Sequence, residues 1–146
     1  SIVAVLYDEK QDKYLTINWG DLGGRLFVGG TRHENESAID CAIREIKEET
    51  SLVINKNEIK QLDSRTTIPV LNITGKYTWG DSVFVVPEYT FAVELKKYGI
   101  KLSNEHKEYK WVEYNEAMEK LRYDSNKTAL WELNQRLIKN KNGKRL

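Results

Sequence analysis

Between Ser37 and Thr50, Ile39, Ala42, Ile43, Ile46 and Thr50 recur at spacings of three and four. At about 100° per residue they fall on one stripe, which predicts a helix with one buried face. Glu45, Glu48 and Glu49 fall together on an adjoining arc, within about one and a half turns, where like charges repel. Two readings fit that crowding. One is a solvated face, with Arg44 and Lys47 offsetting the charge. The other is a seat for a hard divalent cation, since Mg2+ and Mn2+ prefer oxygen ligands. Glu34, Asn35 and Glu36 stand just before the first turn and suit a helix N-terminus through capping and the dipole. Further upstream, five glycines within Gly20–Gly30 crowd around Leu26-Phe27-Val28, which predicts a tightly folded loop containing a short strand.

Elsewhere the pattern is mostly strand-like. Ile2–Tyr7, the polar cluster Asp8–Lys13 and Tyr14–Asn18 read as a hairpin. Ser1 directly precedes that first strand, so a few residues are expected upstream. Glu58–Val70, Val83–Leu95 and Tyr109–Val112 read as further strands, with Leu71–Asp81 a long connection. Asn115–Leu121 and Ser125–Ile138 read as helices, with Asp124 as cap and Leu130, Leu133 and Leu137 at helical spacing. The expected fold class is α+β, a mixed sheet sandwiched between helices, in one domain spanning 1–146 with residues 139–146 a frayed basic tail.

Charge enters as an exclusion. Lys and Arg number 23 against 22 Asp and Glu, a formal charge of +1, which argues against nucleic acid as a partner held by bulk charge. The balance is uneven, however: Glu34, Glu36, Asp40, Glu45, Glu48 and Glu49 lie close to only Arg44 and Lys47. The single cysteine, Cys41, excludes an intrachain disulfide and fits a reducing compartment, and a cytoplasmic protein is expected. No apolar run is long enough to suggest a membrane span.

Gly30, five residues, Glu36, seven residues, Arg44-Glu45-Ile46, one residue, Glu48-Glu49, then Thr50-Ser51-Leu52 resembles the Nudix box of the Nudix hydrolase family. Eight of nine specified positions match over 23 residues, Ser51 standing where the family has glycine. Serine takes the left-handed helix-ending conformation at a cost of about 1 kcal/mol or more. Val28, His33 and Asn35 also depart from the family preference, and His33 reads as a solvent-exposed loop residue or a metal ligand. The resemblance implies a Nudix fold, Mg2+ (or Mn2+) as cofactor, and cleavage of a nucleoside diphosphate linked to another moiety. It implies metal binding by Glu45, Glu48 and Glu49 with support from Glu36, catalysis involving Glu48 and Arg44, and substrate binding at Gly30, where a sharp loop approaches the helix. Arg44 is placed to pair with Glu36 or Glu48, a bidentate role that lysine fills poorly.

Leu62–Thr66, Pro87–Ala92, Asn104–Trp111 and Ser125-Asn126 resemble, more weakly, the dihydroneopterin triphosphate pyrophosphatase and dATP pyrophosphohydrolase branch. That likeness implies a nucleoside or pterin triphosphate as the small-molecule substrate, cleaved to the monophosphate and pyrophosphate, with Glu105 in metal binding or water activation. A ring needs stacking partners, for which Tyr77, Trp79 and Trp19 are suited, whereas Trp111 and Trp131 read as core. Arg65 reads as a phosphate contact or a partner of Asp63, and Glu88 as a second site carboxylate or an edge-strand charge. Alternatives are ADP-ribose, a nucleotide sugar, a dinucleoside polyphosphate or an RNA 5′ end as substrate, or a binding module that does not cleave. A homodimer is left open.

Overall fold

Strand β1 (Ile2–Asp8) is buried along almost its whole length, as its unbroken apolar run requires of a strand covered on both faces. It organises the fold, and a computed structural model describes residues 1–18, 24–73, 80–96 and 108–142. The start of β1 pairs antiparallel with β4 (Val28–Gly30), Ile2 lying opposite Gly30. Along its other edge β1 runs parallel to β6 (Val85–Glu94), with Ile2 opposite Tyr89. Strand β5 (Ile59–Pro69) lies antiparallel on the far side of β6, with a register shift between Gln61 and Arg65. Only the last two residues of β1 join β2 (Lys13–Asn18), closing the expected hairpin. Strand β2 then carries β3 (Arg25–Leu26) and β7 (Glu108–Val112), completing one mixed seven-stranded sheet.

Helix α1 (Ala38–Thr50) covers one face, burying Cys41, Ala42 and Ile46 against Ile2, Ala4, Leu6, Phe91 and Val93. Helices α2 (Tyr114–Lys120) and α3 (Asp124–Lys141) cover the other, where Ala117, Leu130, Leu133 and Leu137 meet Val3, Val5, Leu62 and Ala92. Successive β1 side chains therefore feed alternate cores, the period-two rule at work. The expected α+β architecture, a mixed sheet between helices, is the one observed.

Four local expectations change. The N-cap of α1 is Ser37, whose hydroxyl accepts from the Asp40 amide at 3.2 Å, leaving Glu36 for another task. Asp124 is the first helical residue of α3 and Tyr123 its N-cap. That helix continues through Lys141, so Lys139 and Lys141 are helical and complement its C-terminal dipole instead of fraying. Trp131 is 53% exposed: it is the residue after Leu130, about 100° off the Leu130, Leu133 and Leu137 stripe. Among the described residues, no helix is long and apolar enough to cross a membrane.

Candidate active site

Gly30 closes β4, and the chain then turns through Thr31–Glu36 into α1. Asn35 sits at φ 63° in this turn, a conformation asparagine tolerates better than other non-glycine residues. The Glu36 amide donates to the His33 carbonyl at 3.1 Å, and the His33 amide donates to Glu36 Oε1 at 3.0 Å. His33 itself is exposed. A Cβ on Gly30 would overlap the Glu45 carboxyl, so only glycine lets the loop lie this close to the helix.

Arg44 is the centre of the assembly. Its Nε and Nη2 grip both oxygens of Glu36 at 2.8 and 2.9 Å. Nη2 also donates to the Thr31 carbonyl at 2.9 Å, while Nη1 donates to Glu45 at 2.9 Å and Glu48 at 3.2 Å. One planar guanidinium thus ties the loop to the helix and orients three carboxylates. The pairing predicted with Glu36 or Glu48 is made with both, and with Glu45 as well. The Arg44 side-chain hydrogen bond holds the Glu36 carboxyl down at about 2, far below its usual range.

The three helix carboxylates do not share one environment. Glu48 has a side chain 55% exposed and Glu45 one 13% exposed, and Glu49 is buried. The arc drawn from the sequence therefore splits: Glu45 and Glu49, four residues apart, turn inward, and Glu48 faces out. Burial pushes the Glu45 carboxyl up to about 7, with the charges of Glu49 and Glu48 adding to it against the pull of Arg44. Repulsion of this kind is what a cation relieves.

Whether these residues suit a divalent ion is tested by that geometry. Among the described residues, no three acidic, histidine or cysteine side chains converge into a ready-made cage. Mg2+ does not require one, being held by one or two carboxylates plus waters and substrate phosphate. A hard oxygen donor set with inward carboxylates under mutual repulsion fits that mode.

The helix ends as the family glycine would end it. Ser51 adopts φ 67°, ψ 7°, and its amide donates to the Lys47 carbonyl at 2.9 Å. The substitution leaves the left-handed cap, and with it the placement of Glu45–Glu49, intact.

Across the sheet, Gly30, Ile2, Tyr89 and Arg65 form one row of register partners. Arg65 is exposed at its far end, its guanidinium 5.8 Å from the Tyr89 ring centre, a cation–π contact. Asp63 is bound instead by Arg136 at 2.9 Å, so the two are not partners. Glu88 is no edge-strand charge, because β6 lies between β1 and β5 and Glu88 is 6% exposed. Trp111 packs partly buried on the α1 side. Glu105, Tyr77, Trp79 and Trp19 fall outside the described residues. Sequence reasoning missed Glu132, which accepts from the Asp63 and Ser64 amides at 2.8 and 2.6 Å and from Arg136 at 2.9 Å. The Glu132/Arg136 spacing of four was the available signal.

An arginine-organised set of helix carboxylates against a glycine loop, on a mixed sheet between helices, defines a hydrolase of the phosphoanhydride-cleaving class. The NUDIX domain family model matches residues 1–132, and the chain belongs to the Nudix family. It is 34% identical to a Listeria monocytogenes chain described as a NUDIX hydrolase, with a TM-score of 0.81 and coverage of 95% of this chain and 94% of that one. A dihydroneopterin triphosphate diphosphatase from Haemophilus influenzae is 26% identical over 132 residues, 89% of this chain and 84% of that protein. An Ap4A hydrolase from C. elegans shares the fold at 19% identity, with a TM-score of 0.66 and coverage of 94% and 97%.

Proposed function

We propose that this Nudix hydrolase cleaves a nucleoside or pterin triphosphate to the monophosphate and pyrophosphate, using Mg2+ or Mn2+. The observation that carries the reading is the contact of Gly30 with Glu45 beneath the Arg44 clamp, since it fixes carboxylates at the mouth of a loop where phosphate oxygens can approach. The likeness to the dihydroneopterin triphosphate diphosphatase supports the triphosphate class.

Glu45, Glu48 and Glu49 are the residues that would hold the cation. Bound there, it would neutralise pyrophosphate oxygens and supply an acidified water. Arg44 fixes the rotamers of Glu45 and Glu48 and so orients the donor set before substrate arrives. Glu36, held through both oxygens by Arg44 and by the His33 amide, supports this set from behind. Glu48, the most exposed of the three, is the carboxylate best placed to handle a water proton, with Glu105 the second candidate. Arg65 contributes positive charge on the same sheet face.

A panel of nucleoside and pterin triphosphates, ADP-ribose, nucleotide sugars, dinucleoside polyphosphates and capped RNA, incubated with Mg2+ or Mn2+, tests the reading by product identification. Pyrophosphate plus a monophosphate is expected from a triphosphate, with loss in Glu48→Gln. Turnover confined to ADP-ribose, or tight nucleotide binding with no turnover at all, contradicts it.

A further inference from the structure

Strands β5 and β6 stay paired out to Pro69 and Val85, past the row where Ile2 of β1 meets Tyr89. A turn of 3-10 helix at Val70–Asn72 follows, and the Val70 amide donates to the Phe84 carbonyl at 3.0 Å, which holds the two chains together at this outer end. The side chains there are not covered. Leu71 is 93% exposed, Phe84 75% and Val85 51%, and the first two are the most exposed large apolar side chains among the described residues.

The sequence marks the same stretch. Thr66–Ile73 and Ser82–Pro87 contain no charged residue, in a chain that is 31% charged. A surface built for water carries mixed charge, and an edge strand such as β5 is ordinarily guarded by Lys or Glu. Charge depleted around an aromatic and aliphatic centre is instead the composition of an interface core. Pro69 and Pro87 still guard the backbone, since neither can donate to an added strand. Contact at this end is therefore made by side chains and not by extending the sheet.

Size and match point to one occupant. Leu71, Phe84 and Val85 offer roughly 400 Å² of apolar surface, in the range where the largest patch on a monomer is often functional. Set against its own copy the patch buries roughly 800 Å², and a rim of Ile68, Pro69 and Pro87 brings the total near the roughly 1,200 Å² at which specific interfaces begin. The other exposed large apolar side chains are scattered: Val53, Tyr109 and Tyr123 stand on separate segments, and Trp131 and Ile138 lie two turns apart on α3. Among the described residues no second cluster of this kind offers a head-to-tail match, so the available contact is the closed one in which the patch meets itself. With no charge on the patch of either copy, nothing there repels it.

We propose that the outer end of the β5–β6 pair is a homodimer interface, in which Leu71, Phe84 and Val85 of two copies pack about a two-fold axis. Phe84, the aromatic member, is the anchor. An interface at the lower end of the size range is reversible, half-associated at roughly 10–100 μM.

Sedimentation velocity of the full chain from about 5 to about 500 μM should show dimer replacing monomer as concentration rises. Phe84→Glu should weaken association about tenfold or more, while the thermal midpoint of a dilute sample stays within about 1 °C, because a side chain so exposed holds no core. Trp131→Glu, the same change at an exposed aromatic on α3, should leave association unaltered. Mixing Phe84→Glu with Phe84→Arg should restore a dimer that neither forms alone, since a two-fold contact sets position 84 of each copy against the patch of the other. A wild-type chain still monomeric at about 500 μM overturns the proposal, as does a dimer that Phe84→Glu leaves intact or that Trp131→Glu abolishes. A mixture that fails to recover the dimer rejects the two-fold arrangement.

Discussion

Two arginines organise acidic residues in this molecule, and they do so to opposite ends. Arg136 on α3 binds Glu132 and Asp63, while Glu132 also accepts two backbone amides of β5. Every oxygen of Glu132 has a donor, and those bonds hold its carboxyl below the usual range against the opposing effect of burial. Arg44 on α1 is surrounded by Glu36, Glu45 and Glu48, yet Glu45 is raised to about 7. The first cluster pins a helix to a strand at the register shift of β5. The second satisfies Glu36 and leaves Glu45 and Glu49 in mutual repulsion, an arrangement that fold stability does not favour and a cation site does.

The largest effects should separate the two clusters. Glu45→Gln is expected to lower kcat by about a hundredfold or more, while leaving the cation-free protein as stable as wild type or more so, because a desolvated charge is removed. A denaturation midpoint measured without divalent ions checks the second half. Gly30→Ala should destabilise by about 1–3 kcal/mol and reduce turnover, since its Cβ displaces the Glu45 carboxyl. Glu132→Gln, by contrast, should destabilise by about 2 kcal/mol, read from urea unfolding, as charge-assisted bonds to two amides and an arginine are weakened.

A smaller effect concerns pH. The Glu36 carboxyl, at about 2 when folded, is depressed from an ordinary 4.5. Its contribution to stability is fully present above the unfolded value and is lost as pH falls through the folded one. The penalty for Glu36→Gln should therefore be largest above about pH 5 and vanish towards pH 2, checked by unfolding across that window. Smallest is Ser51→Gly, expected to stabilise by about 0.5–1 kcal/mol by relieving a serine held at φ 67°, visible as a rise of a few degrees in Tm.

Much of this was legible because it is local. The hairpin of β1 and β2, the α1 stripe and the Leu130, Leu133 and Leu137 face of α3 follow from periodicity, and the box follows from fixed spacing. What escaped is what depends on partners distant in sequence. A helical wheel places Glu45, Glu48 and Glu49 on one arc, and only the packing of the Gly30 loop decides that Glu48 alone stays outside. Of the two readings of Glu88, a site carboxylate or an edge-strand charge, the second fails, as nothing local reveals, because β6 runs parallel to β1 in the middle of the sheet. Its alternation with Val86, Thr90 and Ala92 was nevertheless visible and pointed inward. Trp131 was assigned to the core for lying within a helix, where its angle to the leucine stripe was the better guide.

The central claim is that the inward carboxylates of α1 await a cation. The shift in thermal unfolding midpoint on adding Mg2+, compared between wild type and Glu45→Gln, tests it most directly. A rise of several degrees in wild type that shrinks to near zero in Glu45→Gln is the predicted result, and an equal shift in both proteins, or none in wild type, would contradict it.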